Sequence, residues 1–201
     1  LHLGHAGAGV STVLGVDGPD AGVPWHYGDP RGEQRALERG EASVDLRHRP
    51  VFAVTGPERL TWLNALASQK LDALVPGEHT TALILDSAGR IGHVFGGADD
   101  GETFWGHTEP GRLDALLAYL NSLRFATKAE VHDASADRAL IITPGGPRIV
   151  PRDQIEDALG ERRSGTEQGF AHSAKERLHP PVAVGRGVER PGEQARLHLD
   201  L

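Results

Sequence analysis

The chain contains no cysteine and no methionine. Without a thiol it cannot rest on disulfides, ligate zinc or an iron–sulfur cluster through cysteine, or use a cysteine nucleophile. No apolar run approaches the roughly 20 residues that a membrane helix needs. The first nine residues also lack the basic flank and long apolar core of a secretory signal. A protein of the cytoplasm, with no membrane partner, is the expectation. Lysine is scarce, three residues against eighteen arginines, a bias that suits a GC-rich genome better than a binding function. Position 1 is leucine, so the expected natural start lies upstream or at a non-standard codon.

Basic charge is also short. The chain has 21 Lys and Arg against 28 Asp and Glu, a formal charge of −7. That balance lacks the electrostatic footprint of a general DNA or RNA binder, whose affinity comes from neutralising phosphates. No direct DNA binding is expected, although a local basic patch stays open. Catalytic signatures are missing as well. There is no G-x-S-x-G elbow of a serine hydrolase. The eleven histidines contain no H-E-x-x-H and no i, i+4 pair on a predicted helix, so no metal site is expected. Asp99-Asp100 and Glu156-Asp157 are neighbours that cannot face one common site, and solvated charge is their reading.

What remains suffices for one large domain or two small ones: 201 residues, 38% of them hydrophobic. Residues 1–24 are glycine-rich and poor in large apolar groups, which reads as a flexible arm. Their glycine spacing matches neither the phosphate-binding nor the dinucleotide-binding pattern. Residues 32–39 read as a short charged helix stopped by Gly40. Residues 51–55 are β-branched and aromatic and end at Gly56-Pro57, a strand and a turn. Pro57 suits the first turn of a helix over 58–68, with Leu60, Leu63, Leu66 and Ala67 on one stripe. Strands are expected at 80–85, 91–95, 103–107, 129–132 and 139–143. Ser87-Ala88-Gly89-Arg90 forms a hairpin turn between the first two. Leu113, Leu116, Leu117, Leu120 and Leu123 follow the i, i+3, i+4, i+7 rule of an amphipathic helix. The alternation predicts an α+β fold, helices laid on a largely antiparallel sheet. From 144 to 201 the chain holds six prolines and eight glycines in 58 positions, which predicts a poorly ordered tail apart from a helix at 152–159. The ordered domain is expected to span about 25–155.

A set of fragments in fixed order carries a further signal. They are Trp25-His26-Tyr27-Gly28-Asp29-Pro30, Glu33-Gln34-Arg35, Val44-Asp45-Leu46-Arg47-His48-Arg49 and Val54-Thr55-Gly56-Pro57-Glu58-Arg59-Leu60. Trp62-Leu63, Ser68-Gln69, Leu74-Val75-Pro76-Gly77 and Leu85-Asp86-Ser87-Ala88-Gly89-Arg90-Ile91 follow. Together they resemble the folate-binding YgfZ proteins of the actinobacterial branch, within the superfamily of the glycine-cleavage aminomethyltransferase (GcvT). The resemblance runs from about 20 to about 155. Asp45-Leu46-Arg47-His48 corresponds to the D-L-S-H element of the superfamily, with Arg47 in place of serine.

The resemblance implies the N-terminal part of a GcvT/YgfZ fold and a tetrahydrofolate site. It also implies an accessory role in maintaining iron–sulfur proteins and in tRNA modification, with no catalytic residue. Trp25, Tyr27, Arg49, Gln69, Asp86 and His93 are the folate-contact candidates it suggests. Their structural alternatives are an anchored arm for Trp25 and Tyr27, a helix cap for Gln69 and a shaped turn for Asp86. Arg49 stands where better-known members have a folate-contacting tryptophan; its guanidinium suits a folate glutamate carboxylate instead. His93 stands where the aminomethyltransferases carry an aspartate, and imidazole cannot supply that fixed negative charge at neutral pH. Thr108 stands where they carry an asparagine. The K-G-C-Y-x-G-Q-E signature of YgfZ is missing, and agreement fades after about Leu159. The faint strand-like end at 194–201 leaves an internal deletion, a shifted frame or a degenerate paralogue as explanations. The alternatives in function are a folate-dependent aminomethyltransferase and a non-functional remnant or protein-interaction module.

Overall fold

The computed structural model describes residues 12–160. Most of the expected tail and the first part of the expected arm lie outside them. The residues Val51–Thr55 (β4) explain most of the architecture. Four consecutive apolar side chains on a strand must alternate between its two faces. Both faces of β4 therefore need cover, as for a strand buried inside a layered domain. All four, Val51, Phe52, Ala53 and Val54, are fully buried.

β4 lies inside a five-stranded antiparallel sheet with His79–Leu85 (β5), Ile91–Asp99 (β6), Thr103–His107 (β7) and Glu130–Asp133 (β8), in the order β5-β6-β7-β4-β8. Phe52 and Val54 face two helices, Arg59–Leu66 (α2) and Leu113–Ser122 (α3). Phe52, Phe95 and Phe104 cluster there, with ring centroids 5.8–6.4 Å apart. Leu63, Leu116 and Leu120 close the layer from the helix side. Trp62 joins it, donating its indole N–H to the Leu123 carbonyl at 3.4 Å.

Val51 and Ala53 face the opposite way, where Ala134, Trp105 and Ile149 pack on them. Ile149 belongs to a second antiparallel sheet made of Val44–Asp45 (β3), Arg138–Thr143 (β9) and Gly146–Pro151 (β10), in the order β10-β9-β3. Ala139, Ile141 and Val150 of this sheet pack in turn on Ile155, Ala158 and Leu159 of Ile155–Gly160 (α4). The fold is α+β with antiparallel sheets, as the sequence pattern predicts.

Elements outside the expectations have local reasons. Pro147 and Pro151 look like strand breakers, yet β10 is an edge strand, where a missing N–H is tolerated. β6 runs on through Gly96 and Gly97 to Asp99 because these glycines serve close approach. A Cβ at Gly97 would lie 2.4 Å from the Trp105 carbonyl oxygen and 2.6 Å from the Phe104 ring. The charged helix forms at Pro30–Glu38 (α1), with proline in its first turn and Asp29 Oδ1 accepting from the Gly32 N–H at 2.9 Å. Ahead of it, Val13–Leu14 (β1) pairs with Pro24–His26 (β2). One ion pair is deeply placed: Arg59 donates twice to the buried Asp99, at 2.6 and 2.7 Å, tying the start of α2 to the end of β6.

Gly106 gives a direct test of the helix-side core. A Cβ there would lie 2.2 Å from the Phe52 ring. Gly106→Ala is expected to destabilise by about 1–3 kcal/mol through overpacking. Combined with Phe52→Leu, its cost should be less than additive, because the smaller side chain vacates the clash. Urea denaturation of the single and double variants measures both.

Candidate functional site

The register sorts the side chains of the large sheet. Val51 pairs with His107 and Ala53 with Trp105; His107 pairs with Gly96 and Trp105 with Ala98. Across the next ladder His79 opposes Ala98, Thr81 opposes Gly96, and Leu83 opposes Val94. His107, Trp105, Val94, Leu83 and His79 therefore share the face away from α2 and α3. The small sheet covers only part of this face.

At one end lies a cavity of about 360 Å³ lined by Pro76, His79, Ala98, Trp105, Pro147 and Ile149, with Gly77, Asp99, Asp100 and Arg148 completing the wall. The Arg138 guanidinium stacks on the Trp105 indole at 4.2 Å. The indole N–H donates to Asp100 Oδ2 at 2.8 Å. Asp100 Oδ1 accepts from the N–H groups of Glu102 and Thr103, and both Asp99 oxygens hold Arg59. The two carboxylates on the wall are thus already engaged.

Deeper in, His79 and His107 stack with ring centroids 5.4 Å apart and Nε2 atoms 3.1 Å apart. Opposed histidines are usually too far apart to do this. Here the pair is diagonal, and the residue between them is Gly96. A Cβ at Gly96 would fall 2.5 Å from His107 Nε2 and 3.1 Å from His79 Cε1. The missing side chain is the space the imidazoles occupy. Burial, the neighbouring His79 and Arg49 together push the His107 pKa down to about 4, and burial lowers that of His79. Both rings are neutral at physiological pH.

The geometry selects their tautomers. A bond between two Nε2 atoms needs the proton on one of them only. If His79 carried it, His107 would hold its proton on Nδ1, a buried atom with no partner, beside Arg49, whose Nε–H is also buried without one. An orphaned buried donor costs about 1–3 kcal/mol, and a second cationic donor nearby adds to it. With the proton on His107 Nε2, Nδ1 is instead a lone pair in the field of a cation. His107 therefore donates to His79, and His79 keeps its own proton on Nδ1, which has no partner within the described residues.

At the other end the face is open. Leu83 opposes Val94, and past a one-residue register shift Leu85 pairs with Ile91. Leu85 is 42% exposed, Ile91 60% and Val94 40%. Polar groups edge this apolar platform. Gln69 Oε1 accepts from the Leu83 N–H at 3.3 Å. Asp86 follows Leu85 and holds the turn, accepting from the N–H groups of Ala88 and Arg90 and from Arg90 Nε. The Thr108 hydroxyl donates to the Val94 carbonyl at 2.7 Å, and the next residue, Glu109, pairs with Arg49 at 2.7 Å.

The six residues singled out from the sequence thus fall in three places. Gln69 and Asp86 border the platform, and Arg49 pairs with Glu109, the residue after Thr108, whose hydroxyl binds the Val94 carbonyl. His93 opposes Ile84 on the helix side of the sheet, its ring 5.0 Å from that of Tyr119, and burial and Arg112 lower its pKa. Trp25 and Tyr27 lie on the N-terminal segment. Trp25 is 81% exposed, and Tyr27, raised in pKa by burial, Asp45 and Glu33, takes Glu33 Oε1 on its backbone N–H. Sequence reasoning missed His79, His107 and Trp105, since a diagonal contact depends on register. The one available signal was a Gly-Gly pair inside a strand.

No family model matches the sequence, and no curated protein matches it. Among solved structures, the chain is similar to the glycine cleavage system aminomethyltransferase T from Bartonella henselae, with a TM-score of 0.52 and 18% identity. The likeness covers 67% of this chain and 36% of that one, so the chain spans about a third of that enzyme's length. Likeness at this identity shows a shared fold. Among the described residues no helix is long and apolar enough to cross a membrane.

The histidine pair makes stability depend on pH with a defined sign. The folded pKa of His107, about 4, lies below the usual 6.5, so the unfolded chain takes up the proton first. Its contribution is complete above about pH 6.5 and is lost as pH falls from there toward 4, on the order of 3 kcal/mol. His107→Gln should flatten the pH dependence of urea stability in that window. Long-range ¹⁵N spectra should show His107 protonated on Nε2 and His79 on Nδ1 at pH 7.

Proposed function

We propose that this chain binds a reduced folate as an accessory protein of the YgfZ type, serving iron–sulfur proteins and tRNA modification, and does not itself transfer an aminomethyl group. The observation that carries this reading is the apolar platform of Leu83, Leu85, Ile91 and Val94, with Gln69 and Asp86 along its border and Arg49 paired with Glu109 next to Thr108. A tetrahydrofolate presents a flat bicyclic head, an aromatic linker and a glutamate carboxylate. Apolar strand faces suit the rings, and a guanidinium suits the carboxylate. Arg49 spends one terminal nitrogen on Glu109; the other has no partner within the described residues. Trp25, largely exposed, and Tyr27 are the aromatic groups that would close over the ligand from the N-terminal segment.

The transferase reading has the fold likeness in its favour. Against it stands His93, a neutral imidazole packed on Tyr119 where the resemblance expects a carboxylate. A third reading, a protein-interaction module, would place a protein on the same platform.

A thermal melt with 5-formyltetrahydrofolate tests the proposal. A ligand bound only by the native state at about a hundred times its Kd adds about 2.7 kcal/mol, or roughly 5–10 °C for a domain of this size. Arg49→Ala should weaken binding about tenfold by removing a charge-assisted bond. Val94→Glu should abolish the shift while leaving the melt cooperative. A cooperative melt that folate does not move would overturn the folate reading and turn attention to a protein partner.

A further inference from the structure

The cavity at the other end of the face makes a second, separate site. Five of its lining residues, Pro76, Ala98, Trp105, Pro147 and Ile149, are apolar or aromatic. Its two carboxylates are engaged: Asp99 holds Arg59, and Asp100 accepts from the Trp105 indole and two backbone N–H groups. Arg148 also lines the wall. His79 brings its Nδ1–H, fixed as a donor by the chain from Arg49 through His107. The cavity thus combines apolar and aromatic walls with an imidazole N–H donor, its two carboxylates being held by other groups of the chain.

We propose that this cavity binds a small flat aromatic carboxylate, its ring against Trp105 and Ile149 and a carboxylate oxygen on His79 Nδ1–H. The volume, about 360 Å³, holds one or two fused rings with a short substituent. The histidine pair then has a purpose that core packing does not give it. Gly96 leaves room for two imidazoles, the buried one orients the proton of the exposed one, and the sheet holds both rigid. A neutral donor of fixed tautomer discriminates between ligands of the same shape by whether they present an acceptor.

Benzoate and benzamidine, the same ring with opposite charge, serve as probes of the ¹⁵N-labelled full chain by NMR. Saturable shifts are expected for benzoate, centred on the His79 Nδ1–H and the Trp105 indole, with a Kd in the millimolar range or tighter for so small a ligand. Benzamidine should give none. His79→Ala should weaken benzoate about tenfold, and His107→Leu, which leaves His79 free to choose its tautomer, should weaken it by a smaller factor. The inference is overturned if benzoate shows no saturable shifts at about 10 mM, if benzamidine binds as well, or if His79→Ala changes nothing while its melt matches that of the parent. His79→Ala should leave the folate-induced melt shift intact, which keeps this test separate from that of the platform.

Discussion

A strand with apolar side chains on both faces cannot stop at one covering layer. β4 places Phe52 and Val54 on one side and Val51 and Ala53 on the other, and all four are fully buried. The helix layer answers the first pair, and the small sheet with Ile149 answers the second. The third layer follows from the second: β9 and β10 bury their own outer face under α4. The hydrophobic effect acts here through strand alternation, since each buried face obliges a further element to cover it.

The same layering decides where chemistry can sit. The small sheet covers only part of the shared face: its strand β10 walls the cavity with Pro147 and Ile149, and the rows beyond stay uncovered. One end becomes a cavity against Trp105; at the other, Leu85, Ile91 and Val94 stand exposed beside the half-buried Leu83. The likeness to the aminomethyltransferase extends over about a third of that enzyme. An apolar row exposed on a sheet face whose remaining length is covered is where a ligand or a partner gains most from burial.

Close approach is the second theme. Gly96, Gly97 and Gly106 sit inside strands, where glycine ordinarily weakens the ladder. Each is there because a neighbour occupies the place of its side chain: an imidazole pair, a backbone carbonyl with Phe104, and the Phe52 ring. Their value lies in side chains far off in sequence. The histidine pair is the clearest case, two rings 28 residues apart in sequence whose Nε2 atoms come to 3.1 Å across a residue that has no Cβ.

By itself the sequence determined the elements whose signal is local. β4, β7 and the amphipathic α3 are legible because β-branching, turn residues and a 3.6-residue period act within a few neighbours. The Asp86 turn was legible for the same reason, and so was the α+β class. Edge position, register and the partner of each polar atom were not. Whether Pro147 breaks a strand or lies on an edge depends on what pairs with it. Whether His107 is a solvated loop histidine or a buried neutral ring depends on Arg49, Gly96 and His79 arriving from three other segments. Gln69 and Asp86 could be named in advance, yet only the sheet register set them beside one apolar surface, because a one-residue slip would have turned that surface to the other side.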